Sequence, residues 1–343
     1  MVERFRALGA EAFLLRQNDD FDDTHFYDIE VPFADFGWDN ARNHLKPNDL
    51  VLIPEHRIID WILLTRNWGC RVGVYSQNGY LSLDSREWAI QTRFGIELAI
   101  TITPSISNIM RVFHGLDAKR IFEVPVLVTR DPFRLLSRSE IIGDLSVCYM
   151  PRKCTNDAFH IRREVMKTFP DIPWVEIDKR PIREVAALLR SSKVFLSTQE
   201  NEGFGLPAIE AMSCGCIVAG YSGTPGFPHP YATPSNGLWA KDRDAASAVR
   251  KTIEAIRIAR EGGKAAQSIA NAAWHTVRRF DVSSVDIALK EFLEVTSVQA
   301  YSARTQPRQA MSMATYVASM KHLRRVGRLH FREQLRHIVR KIL

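Results

Sequence analysis

Short apolar runs rich in β-branched residues alternate with longer segments of helical spacing along most of this chain. That alternation favours parallel strands joined by crossover helices and disfavours a sandwich built from consecutive hairpins. Strands are expected at residues 13–15, 50–53, 72–75, 98–102 and 121–124, then at 145–149, 174–177, 194–197 and 217–220. Helices are expected at 2–8, 107–113, 158–168 and 183–190, with a long Ala-rich helical stretch over 245–273 and a further helix over 285–295. Both halves therefore read as βα repeats.

At 343 residues the chain exceeds what one ordinary core fills, so two domains are expected. The weakly periodic stretch 125–139, with Pro132, divides the strand sets. It suggests a first domain over 1–133, a second over 134–298 and a tail over 299–343. Hydrophobic residues make up 45% and charged residues 25%, a globular composition that excludes a disordered or fibrous chain. Five cysteines without CxxC spacing argue against a disulfide scaffold or a zinc site. A charged N-terminus with no apolar segment behind it, and no run of 18 apolar residues, leads us to expect a cytoplasmic protein.

The net charge of +7 is local. Residues 300–343 hold ten Lys and Arg against Glu333 alone, and residues 1–299 carry a net −2. Within the tail, Phe331, Leu335, Ile338, Val339 and Ile342 share a helical face beside a stripe of Arg332, Arg336 and Arg340. Such a basic amphipathic helix suits the inner face of an anionic membrane, or packs on its own protein. Nucleic acid is a poor match, because aromatics are sparse and no recognition motif accompanies the charge.

The segment Glu202-Gly203-Phe204-Gly205-Leu206-Pro207 lies between a strand and a short helix that carries Glu210 and ends at Gly215. Pro suits a first helical turn and Gly suits a left-handed stop. Gly203 and Gly205 then precede a helix N-terminus, whose unpaired N–H groups and dipole suit a diphosphate. Glu202 and Glu210 can face one crevice and accept hydrogen bonds from sugar hydroxyls. Two Glu eight apart also occur by chance, and a Gly-rich loop can be no more than a tight turn. The continuous string is far more specific.

That string resembles the donor-site signature of glycosyltransferase family 4, with its Glu-x7-Glu motif. The resemblance implies a GT-B fold, two Rossmann-like domains facing a cleft, with the donor in the second domain. It implies transfer of a sugar from a nucleotide sugar to an acceptor hydroxyl, a hexosyltransferase of class EC 2.4. In the family the first Glu contacts the transferred sugar, the second holds the ribose, and intervening amides meet sugar and diphosphate. Those roles fall on Glu202, on Glu210, and on Gly203, Phe204, Gly205 and Leu206. Arg152 and Lys153, after the 145–149 strand, match the family's diphosphate-binding Arg and Lys, although the family usually spaces the two farther apart. Gly223 and Thr224 match a Gly-rich loop near the sugar, and the loop at Asp178 matches one passing the nucleobase.

Two cations and a helix N-terminus can neutralise a leaving diphosphate, so neither a metal nor a cofactor is expected. Retention of anomeric configuration is implied by the family alone. Acceptors would be saccharides or lipid-linked sugars, as in cell-surface polysaccharide or glycolipid synthesis. Departures concentrate near the N-terminus. The chain enters at a helix where relatives begin with a strand and a Gly-rich loop, which points to a reduced first domain. Relatives commonly place a His beside the sugar where this chain has Gln77 and Asn78. Those two, with Glu55 and His56 at the end of the 50–53 strand, are the acceptor-side candidates. Asp19 to Asp23 reads as a solvated acidic turn. The alternative from another class is a non-catalytic protein that keeps the donor cradle as a binding or membrane-adaptor module.

Overall fold

The computed structural model describes residues 1–15, 34–37, 40–55, 65, 68–82, 96–112, 114–129, 131–134, 143–224 and 228–297. His56, the 19–23 acidic turn and the 299–343 tail lie outside the described residues.

The described chain builds two parallel sheets. The first contains β1 (Leu50–Pro54), β2 (Arg71–Ser76), β3 (Leu98–Thr101) and β4 (Ile121–Glu123), hydrogen-bonded in sequence order. The second contains β5 (Asp144–Tyr149), β6 (Trp174–Glu176), β7 (Ser192–Thr198), β8 (Ile217–Tyr221) and β9 (Leu238–Ala240), in the order β6-β5-β7-β8-β9. In β3 and β8 every residue is buried, the continuous apolar reading of a parallel strand covered on both faces. Strand order reverses at β5: β6 lies on one side of it, and β7 begins the run on the other. Such a reversal leaves a crevice beyond the carboxyl ends of β5 and β7, where open α/β sheets bind ligands.

Helices of the first unit are α1 (Val2–Ala7), α2 (Ala41–His44), α3 (Gly79–Ser82) and α4 (Pro104–Val112). In the second unit, α5 (Thr155–Thr168) and α8 (Ala245–Glu261) cover one sheet face. The other face carries α6 (Ile182–Arg190), α7 (Leu206–Ser213) and α9 (Gly263–Val277). Asp244 caps α8 by accepting from Ser247 N at 2.8 Å.

The last helix, α10 (Val282–Thr296), follows the second unit in sequence but packs on the first. Val285, Leu289 and Phe292 join Phe5, Leu98, Ile100 and Val124 in one core, and the Phe292 ring lies 5.1 Å from Phe122. Arg4 grips Asp286 through two bonds of 2.8 and 2.5 Å, and the buried Arg71 donates to Thr296 O at 3.0 Å. The expected second domain, 134–298, thus gives its final helix to the first unit's core.

Two expectations about secondary structure are corrected. The 13–15 strand amounts to a single bridge at Leu14. The 245–273 stretch is two helices, broken at Gly262 and Gly263, which are poor helix formers. The edge strand β9 was not anticipated, because three residues are too few to give a period. Among the described residues, no helix is long and apolar enough to cross a membrane.

Candidate functional site

The sequence forces a sharp turn at the mouth of α7. Gly205 is its N-cap, with φ +84, and a Cβ there would lie 2.3 Å from Gln199 Oε1. A left-handed residue pressed against a buried amide must be glycine. Pro207 sits in the first turn, as its missing N–H requires. The Phe204 ring is buried against Tyr231 and Phe280, with centroids 5.2 and 5.0 Å away. That ring pins the loop in the core, so what Phe204 can offer a ligand is its backbone. Leu206, the first helical residue, is exposed.

The turn after β5 meets this loop at the strand reversal. Lys153 Nζ lies 2.6 Å from Glu202 Oε1 and donates to Glu200 O at 3.3 Å. Thr198 Oγ1 donates to Lys153 O at 3.3 Å. Arg152 is exposed beside it. Glu200 also accepts from Cys154 Sγ at 3.1 Å and pairs with Arg243. Cys154, Asn201 and Arg243 all hold positive φ, so backbone strain collects around this rim.

The loop after β8 closes the other side. Glu202 N donates to Gly223 O at 2.8 Å, and Gly223 N donates to Asp242 Oδ1 at 3.0 Å. Thr224 is buried, and among the described residues neither its hydroxyl nor the buried Gln199 amide has a hydrogen-bond partner. Burial raises the Tyr231 phenol well above its ordinary pKa, and the Glu210 and Glu202 carboxylates raise it further.

The first unit reaches the site through the loop between β2 and α3. Asn78 Nδ2 donates to Asn201 O at 3.0 Å, and Asn78 Oδ1 accepts from Tyr80 N at 2.9 Å. A Cβ on Gly203 would fall 1.8 Å from Gln77 O, so this seating requires glycine. Glu55 is 4% exposed, and its Oε1 accepts from Asn78 N at 2.8 Å. A carboxylate buried on a backbone amide helps to shape that loop. Burial and the Glu55 charge push the neighbouring Tyr75 phenol up to about 12.

The structure thus brings together Lys153, Glu202, Gly203, Gly205, Gly223, Gln77 and Asn78, with Glu210 on the helix behind. Sequence reasoning missed Gln199, His229, Tyr231 and Asp242. Of these, only Gln199 lies within the string that drew attention; the others sit in aperiodic connections. Four of the five cysteines are buried, and burial pushes Cys214 up to about 11, which makes it inert packing. Among the described residues, no three His, Cys, Asp or Glu side chains gather as a metal-binding set.

Residues 178–274, from the end of β6 through α7 and into α9, match the family model described as Glycosyl transferases group 1. A search of curated protein sequences gives no match. Among solved structures, the sucrose-phosphate synthase of Thermosynechococcus elongatus superposes with a TM-score of 0.56 at 14% identity, over 88% of this chain and 92% of that one. The trehalose 6-phosphate synthase of Burkholderia multivorans gives 0.54 at 12% identity, over 80% and 76%. The pneumococcal O-GlcNAc transferase GtfA, solved with UDP and GlcNAc, gives 0.55 at 13% identity, over 76% and 59%. The chain spans 51% to 59% of the length of the solved TarM and GtfA chains it matches. At these identities the likeness establishes the fold, GT-B, with two parallel α/β units.

Proposed function

We propose that this protein is a glycosyltransferase, of family 4 within the group 1 enzymes, that moves a sugar from a nucleoside diphosphate donor to an acceptor hydroxyl. One observation carries the reading: the Lys153–Glu202 pair sits at the strand reversal, against a glycine-opened helix N-terminus with Glu210 one turn along. A cation, the amides of a helix N-terminus and two carboxylates along one loop and helix are the groups a nucleotide sugar needs. The matched family model and the GT-B fold support it.

In this reading Arg152 and Lys153 take the diphosphate charge together with the α7 N-terminus, and Glu210 accepts from the ribose. Lys153 leaves Glu202 for the phosphates, and Glu202 turns to the sugar hydroxyls. Charge on the leaving diphosphate is met by groups already in place, which lowers the barrier without a metal ion. As in the family that the string resembles, departure and attack occur on one face, with retention, and no carboxylate of the string serves as a covalent nucleophile. The donor phosphate takes the acceptor proton. Gln77 and Asn78 border the acceptor side.

The acceptor is a saccharide or a lipid-linked sugar of a cell-surface polymer or glycolipid, met at the cytoplasmic face. The basic segment 299–343 would hold the protein to anionic lipid there. The test is a thermal-shift screen of UDP-, GDP-, ADP- and TDP-sugars in chelator. A true donor at 100 times its Kd stabilises the fold by about 2.7 kcal/mol. Stabilisation followed by release of nucleoside diphosphate supports a transferase; stabilisation without turnover, across acceptors, supports the binding-module alternative.

A further inference from the structure

The donor cradle consists of two loops, one ending at Gly205 and one at Thr224, and both are held by the same short corner, His229–Tyr231. Tyr231 is 1% exposed, and its hydroxyl donates to Gly205 O, the N-cap carbonyl of α7. His229 Nε2 donates to Ser222 O at 3.0 Å, one residue before Gly223. Its Nδ1 accepts from Tyr231 N at 3.2 Å and from Ala232 N at 2.8 Å, which fixes the ring as the neutral tautomer with hydrogen on Nε2. The corner is braced from behind, because Asn236 Nδ2 donates to Tyr231 O at 2.7 Å and to Thr276 Oγ1 at 3.0 Å.

From this geometry we infer that Tyr231 and His229 are positioning residues for the donor: they set the distance between the α7 N-terminus and the Gly223–Thr224 loop, and so fix the amides that meet the diphosphate. The inference rests on the donor-binding reading above. A hydroxyl on a carbonyl is not needed to fill space there, since the Tyr231 ring already packs on Phe204 and His229. What the hydroxyl adds is direction. Removing it leaves the N-cap carbonyl without that donor and lets the first turn of α7 tilt.

The experiment titrates UDP, GDP, ADP and TDP into the wild-type protein and into Tyr231→Phe by calorimetry, beside thermal midpoints taken without nucleotide. The expected result is a wild type that binds one of these nucleotides and a variant that binds it about tenfold more weakly at a nearly unchanged midpoint. Equal affinity overturns the positioning role and leaves the donor reading intact. A wild type that binds none of the four overturns both. If Tyr231→Phe does not fold, His229→Asn decides: it keeps the acceptor for the Tyr231 and Ala232 amides and drops the bond to Ser222 O. A weakened affinity there supports the inference, and an unchanged one overturns it.

Discussion

Lys153 Nζ lies 2.6 Å from Glu202 Oε1, with the two side chains 37% and 18% exposed. A pair that close in a half-buried site means that each partner competes for whatever the other binds. The two substitutions should therefore affect nucleotide affinity unequally. Lys153→Met should weaken UDP binding about tenfold, since a phosphate charge is lost. Glu202→Gln should leave it unchanged or a few-fold tighter, since Lys153 is released, while transfer falls steeply. Calorimetry with both variants checks this, and weakening of equal size in both would contradict it.

Asn78 joins the units through a single amide donor. Asn78→Asp keeps the acceptor for Tyr80 N but turns a carboxylate on the Asn201 carbonyl. Amide hydrogen exchange at residues 201–203 should accelerate about tenfold, the equivalent of one lost hydrogen bond. Unaltered exchange would mean that Gly203 packing on Gln77 holds this loop contact without the Asn78 bond.

His229 makes stability depend on acid. Burial holds its pKa down to about 4, against 6.5 ordinarily, only partly opposed by the bond to Ser222 O. The unfolded chain thus takes up a proton that the native protein refuses as pH falls from 6.5 toward 4. Stability is fully present above pH 6.5 and is lost on the way down, by about 2 kcal/mol between pH 7.5 and 5 through this one group. Denaturation of wild type and His229→Asn at both pH values checks it: the variant should lack that share of the loss.

The fold was legible where periodicity is strong. The strands β1 to β8 each cover an apolar run readable in the sequence, and Pro207 and Gly215 marked both ends of α7. Other features are set by contacts far apart in sequence. Nothing local to Val282–Thr296 tells an amphipathic helix which sheet it will cover, and its crossing to Phe5 and Phe122 needs the assembled core. The donor string announced Glu202 and Glu210 because function there depends on residue type at fixed spacing. Tyr231 and His229 act through hydrogen bonds to the backbone of distant loops, which leave no pattern along the chain. Glu55 is legible as a residue at a strand end, while its burial and its bond to Asn78 N need the assembled loop.

The tail can be tested apart from the donor site. Because 300–343 carries +9 against −2 elsewhere, truncation after Val298 should abolish sedimentation with anionic vesicles and leave nucleotide affinity intact. Added salt should weaken vesicle binding by the full-length protein. Vesicle binding that survives truncation would place the contact elsewhere, and a truncated chain that fails to fold would make 331–342 a packed helix.

The central claim is that the crevice at the β5–β7 reversal holds a nucleoside diphosphate without a metal ion. Calorimetric titration of UDP, GDP, ADP and TDP in chelator, into wild type, Arg152→Ala and Glu210→Ala, tests it most directly. The account predicts that the wild type binds at least one of the four, and that each variant binds it about tenfold or more weakly, one having lost a phosphate charge and the other a ribose acceptor. Binding by all three proteins with equal affinity, or binding that appears only when a divalent ion is restored, would contradict it.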